Sequence, residues 1–407
     1  MSKKVSRTGA DIGQFQPLYP ENQVLGPLQE QAAELVAECH RLQGQAGGSI
    51  MRALRPKLRA MNSYYTNKIE GQHTRPADIE RAIKKEFDAD VALAKKQRLA
   101  IAHMEVEELL ENRLANSTLN DLFTSELVRE IHYQLYSRLP ESDWVTDENR
   151  IIVPGEFRQK DVAAGRHVAP GWQNVEGLIE GWANHYRSLT GTEALVIGAA
   201  CSHHRLTWIH PFIDGNGRCA RLHSHLVLHV KGLTQGLWSP MRGLARTQEQ
   251  YYARLNNADL PRRNDLDGRG ALSQEELVAF VRYFLEVCLD QVRFMQVQLD
   301  LASLKDRLKT FLNYLQENPW QLGSEKSMVK TETLEALHYT VMTGPVERAR
   351  FIAMTGLGDR TGRRVLASLL DYGVLSAEST RAPVSFTVPL SSLRFLFPNL
   401  WPEAEVD

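Results

Sequence analysis

Cysteine is scarce, with Cys39, Cys201, Cys219 and Cys288 the only four in 407 residues, and none of them forms a Cys-x-x-Cys pair. Cysteines alone therefore cannot build a structural zinc site, which needs three or four ligands at short spacings. So few thiols also fit a reducing compartment better than a disulfide framework. An excess of charge is missing too. Lysine plus arginine (48) nearly cancel aspartate plus glutamate (49), so the chain as a whole is not a polyanion binder, and only a local basic patch stays open. No apolar run approaches the roughly 20 residues that a membrane span needs. Met1 to Asp11 is basic and polar with no apolar stretch behind it, unlike a secretory signal. Internal repeats and low-complexity stretches are absent as well. The expectation is a soluble, cytoplasmic protein with no membrane partner. Its length suggests two or three domains, and its apolar share of 43 % is ample for a large core.

What is present reads mostly as helix. Leu28 to Leu42, Ile50 to Ile69, Ala92 to Leu114, Asp121 to Tyr136, Val175 to Tyr186, Thr192 to His204 and Asn216 to Val230 carry apolar residues at helical spacing. Gly47 and Gly48 separate the first two, Gly71 offers a C-terminal cap, and Pro76 fits a helix start. Gln248 to Asn257 and Ser273 to Leu315 continue the pattern, the latter with one break. Ile151 to Pro170 has no helical period and predicts an irregular excursion with a short hairpin around Ala163-Ala164-Gly165. After about Pro319 come three short helical patterns, Thr333 to Met342, Val346 to Thr355 and Arg360 to Tyr372. Two strand signals follow, Gly373 to Leu375 and Val384 to Val388, and the order is that of a winged helix.

The stretch that carries chemistry is His210-Pro211-Phe212-Ile213-Asp214-Gly215-Asn216-Gly217-Arg218-Cys219-Ala220-Arg221. Pro211 ends the preceding helix, and Asp214 is a good N-cap for the next. Gly215 and Gly217 let the backbone approach a ligand, and the first turn of the helix offers free amides and a positive dipole end suited to phosphate. Arg218 and Arg221 share a helix face, and two guanidiniums beside an amide nest form a polyanion site. A neutral imidazole at His210 could take a proton from a hydroxyl, and Asp214 could hold a magnesium ion.

This string resembles the signature of the Fic/Doc family of nucleotide transferases, His-x-Phe-x-(Asp/Glu)-Gly-Asn-Gly-Arg-x-x-Arg, at all eight fixed positions: His210, Phe212, Asp214, Gly215, Asn216, Gly217, Arg218 and Arg221. The resemblance implies His210 as general base, Asp214 as the magnesium ligand and Phe212 as a core anchor. It implies phosphate contacts from the Gly215, Asn216 and Gly217 amides, the Asn216 side chain, Arg218 and, at the terminal phosphate, Arg221. Upstream, Thr66-Asn67-Lys68-Ile69-Glu70-Gly71 resembles the family's inhibitory motif, (Ser/Thr)-x-x-x-Glu-(Gly/Asn). Thr66 and Glu70 share a helix face and Gly71 can end the helix; the resemblance implies that Glu70 pairs with Arg221 where a γ-phosphate would lie. Gly155 through Pro170 resembles the family's flap, with Asp161, Val162 and Ala163 as candidate positions for strand addition by a target. Tyr252 falls where the family places nucleotide contacts, but the asparagine expected after Ala258 is Asp259 here.

The expected fold class is mainly α: a Fic helical bundle with a short β-hairpin flap, followed by a winged helix-turn-helix domain. The expected domains are an N-terminal helical region, 1–115, with an inhibitory helix at about 49–71, a Fic core, 116–318, and a winged-helix-like domain, 319–407. The resemblance implies a self-inhibited protein adenylyltransferase that moves AMP from ATP, with Mg2+, to a Tyr, Ser or Thr hydroxyl of a target protein. Removal of AMP, transfer of another nucleotide or phosphate group, and a nucleotide-sensing DNA-binding regulator remain as alternatives. A homodimer and DNA contact through Arg360, Arg363 and Arg364 also stay open. Two further patterns read as structural. Asp265 to Glu276 looks like a calcium loop, but Arg269 occupies a ligand position. His225 and His229 are four apart, with no glutamate beside His225, so the zinc-protease pattern is absent and packing is the expected role.

Overall fold

The computed structural model describes residues 13–146, 148–322 and 327–404, so the polar start Met1 to Asp11 lies outside the described residues. The helices in chain order are α1 (Asn22–Gln45), α2 (Gly48–Ile69), α3 (Pro76–Ile83), α4 (Val91–Leu114), α5 (Leu119–Leu122) and α6 (Ser125–Ser137). After a hairpin of β1 (Ala163–Ala164) and β2 (His167–Val168) come α7 (Val175–Tyr186), α8 (Thr192–Ile209), α9 (Asn216–Val230), α10 (Pro240–Arg246), α11 (Gln248–Ala258), α12 (Gln274–Gln298) and α13 (Leu301–Glu317). The chain ends with α14 (Leu334–Thr343), α15 (Arg348–Met354), α16 (Asp359–Tyr372), β3 (Leu375–Ser376), β4 (Ser385–Phe386) and α17 (Leu393–Leu396). The mainly helical class is as expected. No described helix is long and apolar enough to cross a membrane.

The chain forms two compact units. The first holds residues 1–40, 62–74 and 81–292, and the second 41–61, 75–80 and 293–407. These units differ from the expected stretches 1–115, 116–318 and 319–407, because α1, α2, α3 and α12 each give residues to both units. Periodicity marks where a helix runs but not where along it the packing partners change.

Within the first unit, α9 is the central helix, packed on α8, α4 and α6. Both α8 and α9 are buried on nearly every side, Ser202, His203, His204, Arg205, His223 and Ser224 included. A helix buried all round must satisfy its polar side chains internally. His203 does so with the hydroxyls of Ser224 (2.8 Å) and Tyr251 (2.7 Å), and Arg205 donates to the Pro17 carbonyl (2.7 Å). The pattern Asp121 to Tyr136 is split in two because Thr124 caps α6, its hydroxyl accepting from the Leu127 amide at 3.0 Å.

In the second unit, α13 packs on α14 and α17. The order helix, bridge residue, helix, helix, hairpin runs through α14, Val346, α15, α16 and β3–β4, with Val346 paired to Val384 and Leu375 to Phe386.

Candidate active site

The helix α8 stops at His210, which takes a left-handed conformation (φ 51°, ψ 59°) before Pro211. A side chain rarely adopts this region, and it persists only where the surroundings hold it. Here they do. The Arg158 guanidinium donates through Nε to the His210 carbonyl at 2.7 Å and through Nη1 to Lys160 O at 3.0 Å, and the Arg158 amide donates to Pro211 O at 2.8 Å. The Asn216 side chain clasps Phe212 in both directions, accepting from its amide (2.8 Å) and donating to its carbonyl (2.9 Å). His132 stacks on Phe212 with centroids 3.9 Å apart, accepts from the Gly155 amide at 2.8 Å and donates to Asp214 O at 3.2 Å. Gly215 has φ 80°, and a Cβ there would lie 2.8 Å from the Tyr136 ring. Phe212 is fully buried, and the Asn216 side chain holds the loop around it.

His210 is turned so that Nδ1–H donates to the Thr207 carbonyl at 3.3 Å. In the neutral ring this leaves the lone pair on Nε2. Burial and the nearby His167 push its pKa down to about 4, so the imidazole is neutral at pH 7.

Thr66, one turn into the first-unit part of α2, and Glu70, just past its end, meet Arg221. The buried guanidinium donates through Nε to Thr66 Oγ1 at 2.8 Å, through Nη2 to Thr66 O at 3.2 Å, and through Nη2 to Glu70 Oε1 at 2.5 Å. Gly71 ends the helix at φ 69°, its amide bonded to Lys68 O and the Gln72 amide to Asn67 O, the Schellman arrangement. The carboxylate of Glu70 lies directly over Gly217: a Cβ on Gly217 would collide with Glu70 Oε1 and sit 2.8 Å from Arg221 Nη1. Tyr252 and Gln248 fix this helix end, donating to Ile69 O at 2.8 and 3.1 Å.

Asp214 and Arg218 form a second cluster. Asp214 Oδ2 accepts from the Tyr136 hydroxyl (2.6 Å) and from Arg218 Nη2 (3.0 Å). Burial alone would raise the Asp214 pKa, but Arg218, the Tyr136 hydroxyl and the Gly215 amide outweigh it and hold the carboxyl below its ordinary range. Arg218 Nε and Nη1 are buried and have no hydrogen-bond partner among the described residues.

A cavity of about 520 Å³ brings most of these groups together. It is lined by Glu70, His210, Asn216, Gly217, Arg221, Tyr251 and Tyr252, and by Ala164 to His167 of the hairpin. Asp214 and Arg218 instead line a smaller cavity of about 40 Å³, and Thr66, Gly71 and Gly215 shape the walls without lining either one. The candidate flap positions shift along the chain. Asp161 accepts from the Trp172 amide at 3.0 Å and Val162 is buried, so only Ala163 of the three lies in the exposed strand β1. The hairpin residues at the cavity are the next four. Among them is His167, which no motif marked. Its Nε2–H donates to Trp208 O at 2.8 Å and its Nδ1 faces Asp259 Oδ2 at 2.9 Å, while Asp259 Oδ1 meets His204 Nε2 at 3.1 Å. Two acceptors on one imidazole require both nitrogens protonated. Burial disfavours that charge, but Asp259 more than offsets it and raises the His167 pKa. The departure at Asp259 therefore builds a charged contact at the flap. His132, Tyr136 and Arg158 were also silent in the sequence, since no local spacing ties them to the loop they hold.

The family model described as Fic/DOC family matches residues 122–228, the stretch that holds α6, α8, α9 and the loop between them. Over residues 122–228 the chain is similar to the Fic/DOC family. It is 29 % identical over 202 residues to a protein adenylyltransferase Fic of Nematostella vectensis, covering 48 % of this chain and 42 % of that one. It is 35 % identical over 125 residues to the Aedes aegypti protein of the same name, covering 29 % and 22 %. The chain thus spans less than half the length of these relatives. In fold it is similar to a Fic family protein from Desulfovibrio desulfuricans G20, with TM-score 0.52 and 17 % identity over 92 % of this chain and 99 % of that one. It is also similar to Fic-1 from C. elegans, with TM-score 0.52 and 17 % identity over 69 % and 75 %.

Proposed function

We propose that this protein is a self-inhibited protein adenylyltransferase, which transfers AMP from Mg-ATP to a Tyr, Ser or Thr hydroxyl of a target protein. The observation that carries the reading is the shared cavity in which His210, Gly217 and Arg221 face Glu70. The names of the relatives support the chemistry. His210 Nε2 takes the proton of the acceptor hydroxyl, whose oxygen attacks the α-phosphorus; the bond to pyrophosphate breaks and AMP remains on the target. The amides at the start of α9 and the guanidinium of Arg221 receive the phosphates. The two unpartnered donors of Arg218 fit an anion, because buried charged donors are costly to leave unmet. Asp214, ionised at neutral pH, fits the one or two carboxylates that magnesium takes alongside phosphate oxygens. Bound there, magnesium would neutralise charge on those oxygens.

Inhibition follows from occupancy. With Glu70 on Arg221 and over Gly217, a terminal phosphate would meet a carboxylate where it needs cations. The test is incubation of wild type, Glu70→Gly and His210→Ala with α-labelled ATP, CTP, GTP and UTP and a cell extract. Glu70→Gly is expected to raise labelling from ATP, self-labelling included. His210→Ala should lose about 10²–10⁴-fold, the share of a general base. Normal transfer by His210→Ala sinks the reading, and preference for another nucleotide corrects the donor.

A second reading, a nucleotide-sensing DNA-binding regulator, has one observation in its favour. In the second unit the helices α14, α15 and α16 precede the hairpin β3–β4, and α16 exposes Arg360, Arg363 and Arg364. DNA retention lost in Arg363→Ala with Arg364→Ala, in a protein without transfer activity, would favour it.

A further inference from the structure

We infer that the first unit holds a second metal site, for a divalent first-row transition ion of the zinc class, in the seam between α4 and α9. The ligands are Glu111, His225 and His229. His225 and His229 come from successive turns of α9, and the glutamate absent from their own helix arrives from α4. One donor atom from each lies within 4.8 Å of the others. Glu111 Oε1 is 2.9 Å from His225 Nε2 and 3.4 Å from His229 Nδ1. Tetrahedral donors on bonds of roughly 2.0–2.1 Å stand about 3.3 Å apart, close to both of these distances. Glu107, one turn before Glu111, brings a second carboxylate to 3.9 Å from His225 Nε2.

Burial makes the cluster unusual. Glu107 and Glu111 are 1 % and 4 % exposed, and glutamates so deep in a core are rare unless paired or bound to metal. An independent observation points the same way. His103, one turn before Glu107, is 0 % exposed, and neither of its ring nitrogens has a hydrogen-bond partner, although Nδ1 is 3.7 Å from Glu107 Oε2. A buried imidazole beside two carboxylates and two more imidazoles gathers metal-ligating groups from two helices in one place. Two nitrogens and a carboxylate oxygen select zinc-class ions over magnesium or calcium, which prefer oxygen alone. His229, with its side chain 16 % exposed, gives the ion a way in.

The site sits behind the catalytic cavity. His225 is one turn after Arg221, and Glu107 Oε1 accepts from Asn62 Nδ2 at 2.8 Å, one turn before Thr66 on α2.

The experiment uses the full chain, stripped with a chelator and refilled with Zn2+ or Co2+ in excess Mg2+. Competition with a chromophoric chelator should give one Zn2+ per chain, Co2+ should show the intense visible bands of four-coordination, and Zn2+ should raise the unfolding temperature. Glu111→Gln, which keeps size and hydrogen bonding, and His229→Ala should each weaken binding by more than about 100-fold. Circular dichroism establishes that each variant is folded. Folded wild type that takes up no zinc overturns the inference, and so does binding that survives both ligand substitutions. Neither result touches the transfer assay, so this site and the proposed activity stand or fall separately.

Discussion

At the scale of single residues, the contact between Glu70, Gly217 and Arg221 sets the character of the cavity. A Cβ at 217 would press on Glu70 Oε1 and Arg221 Nη1, so a larger residue there forces those side-chain ends to shift. Gly217→Ala is therefore an overpacking change, expected to cost about 1–3 kcal/mol. Much of that cost should vanish in a Glu70→Gly background, where the colliding oxygen is gone. Urea unfolding of the two single variants and the double variant measures the coupling, and strict additivity would show that the two residues do not touch. Thr66 makes a matching prediction. Its hydroxyl accepts from Arg221 Nε at 2.8 Å, so Thr66→Val leaves a buried charged donor unmet and should cost about 1–3 kcal/mol. The pairing of Glu70 with Arg221 was legible in the sequence because both ends lie in recognisable strings. The role of Tyr136 was not, because its contact to Asp214 crosses 78 positions of chain.

Among the elements, the hairpin β1–β2 is held over the cavity by groups whose charge depends on pH. His167 carries a raised pKa and bonds Asp259 and Trp208 O. The sign follows from linkage: a histidine whose folded pKa exceeds the unfolded value of about 6.5 contributes fully below that value and loses its contribution as pH rises through the folded pKa. Amide exchange at Ala163 to Val168, corrected for the intrinsic pH effect, should therefore accelerate above neutral pH. Asp259→Asn keeps a hydrogen bond but removes the charge, and should flatten the dependence. If the variant keeps the wild-type profile, the ion pair does not hold the hairpin. The hairpin itself was readable from Ala163-Ala164-Gly165. Its inward-facing residues were not, since strands of two residues leave no alternation to follow. The histidine pair on α9 shows the same boundary from the other side: helical spacing displayed His225 and His229, but Glu111 comes from another helix.

For the whole molecule, helix order came through in the sequence because each helix carries its own apolar stripe, while the partition into units did not, because α2 and α12 change partners midway. Burial of neutral histidines then sets the acid limit of the first unit. Burial holds His132 at about 3, with Asp214 opposing it and Arg218 assisting; His210 stands at about 4, and His203 and His204 are lowered mainly by burial. For depressed histidines the unfolded chain binds more protons, so stability is full above about pH 6.5 and falls as pH drops toward the folded values. Each group contributes a slope of up to about 1.4 kcal/mol per pH unit. Denaturant titrations should thus show stability falling as pH drops below about 6.5, and His132→Asn should soften the slope. The partition into units yields the last prediction. A chain cut after Asn318 looks in sequence like removal of one C-terminal domain. In the structure it leaves 41–61, 75–80 and 293–318 without the rest of their unit. It also uncovers Leu304, Leu308, Phe311, Leu312 and Leu315 of α13, all 0 % exposed in the intact chain, in which α13 packs on α14 and α17. Such a fragment should bind a hydrophobic dye and aggregate on size exclusion. A monomeric, dye-negative product with an undiminished unfolding midpoint would show that the second unit does not need its C-terminal helices.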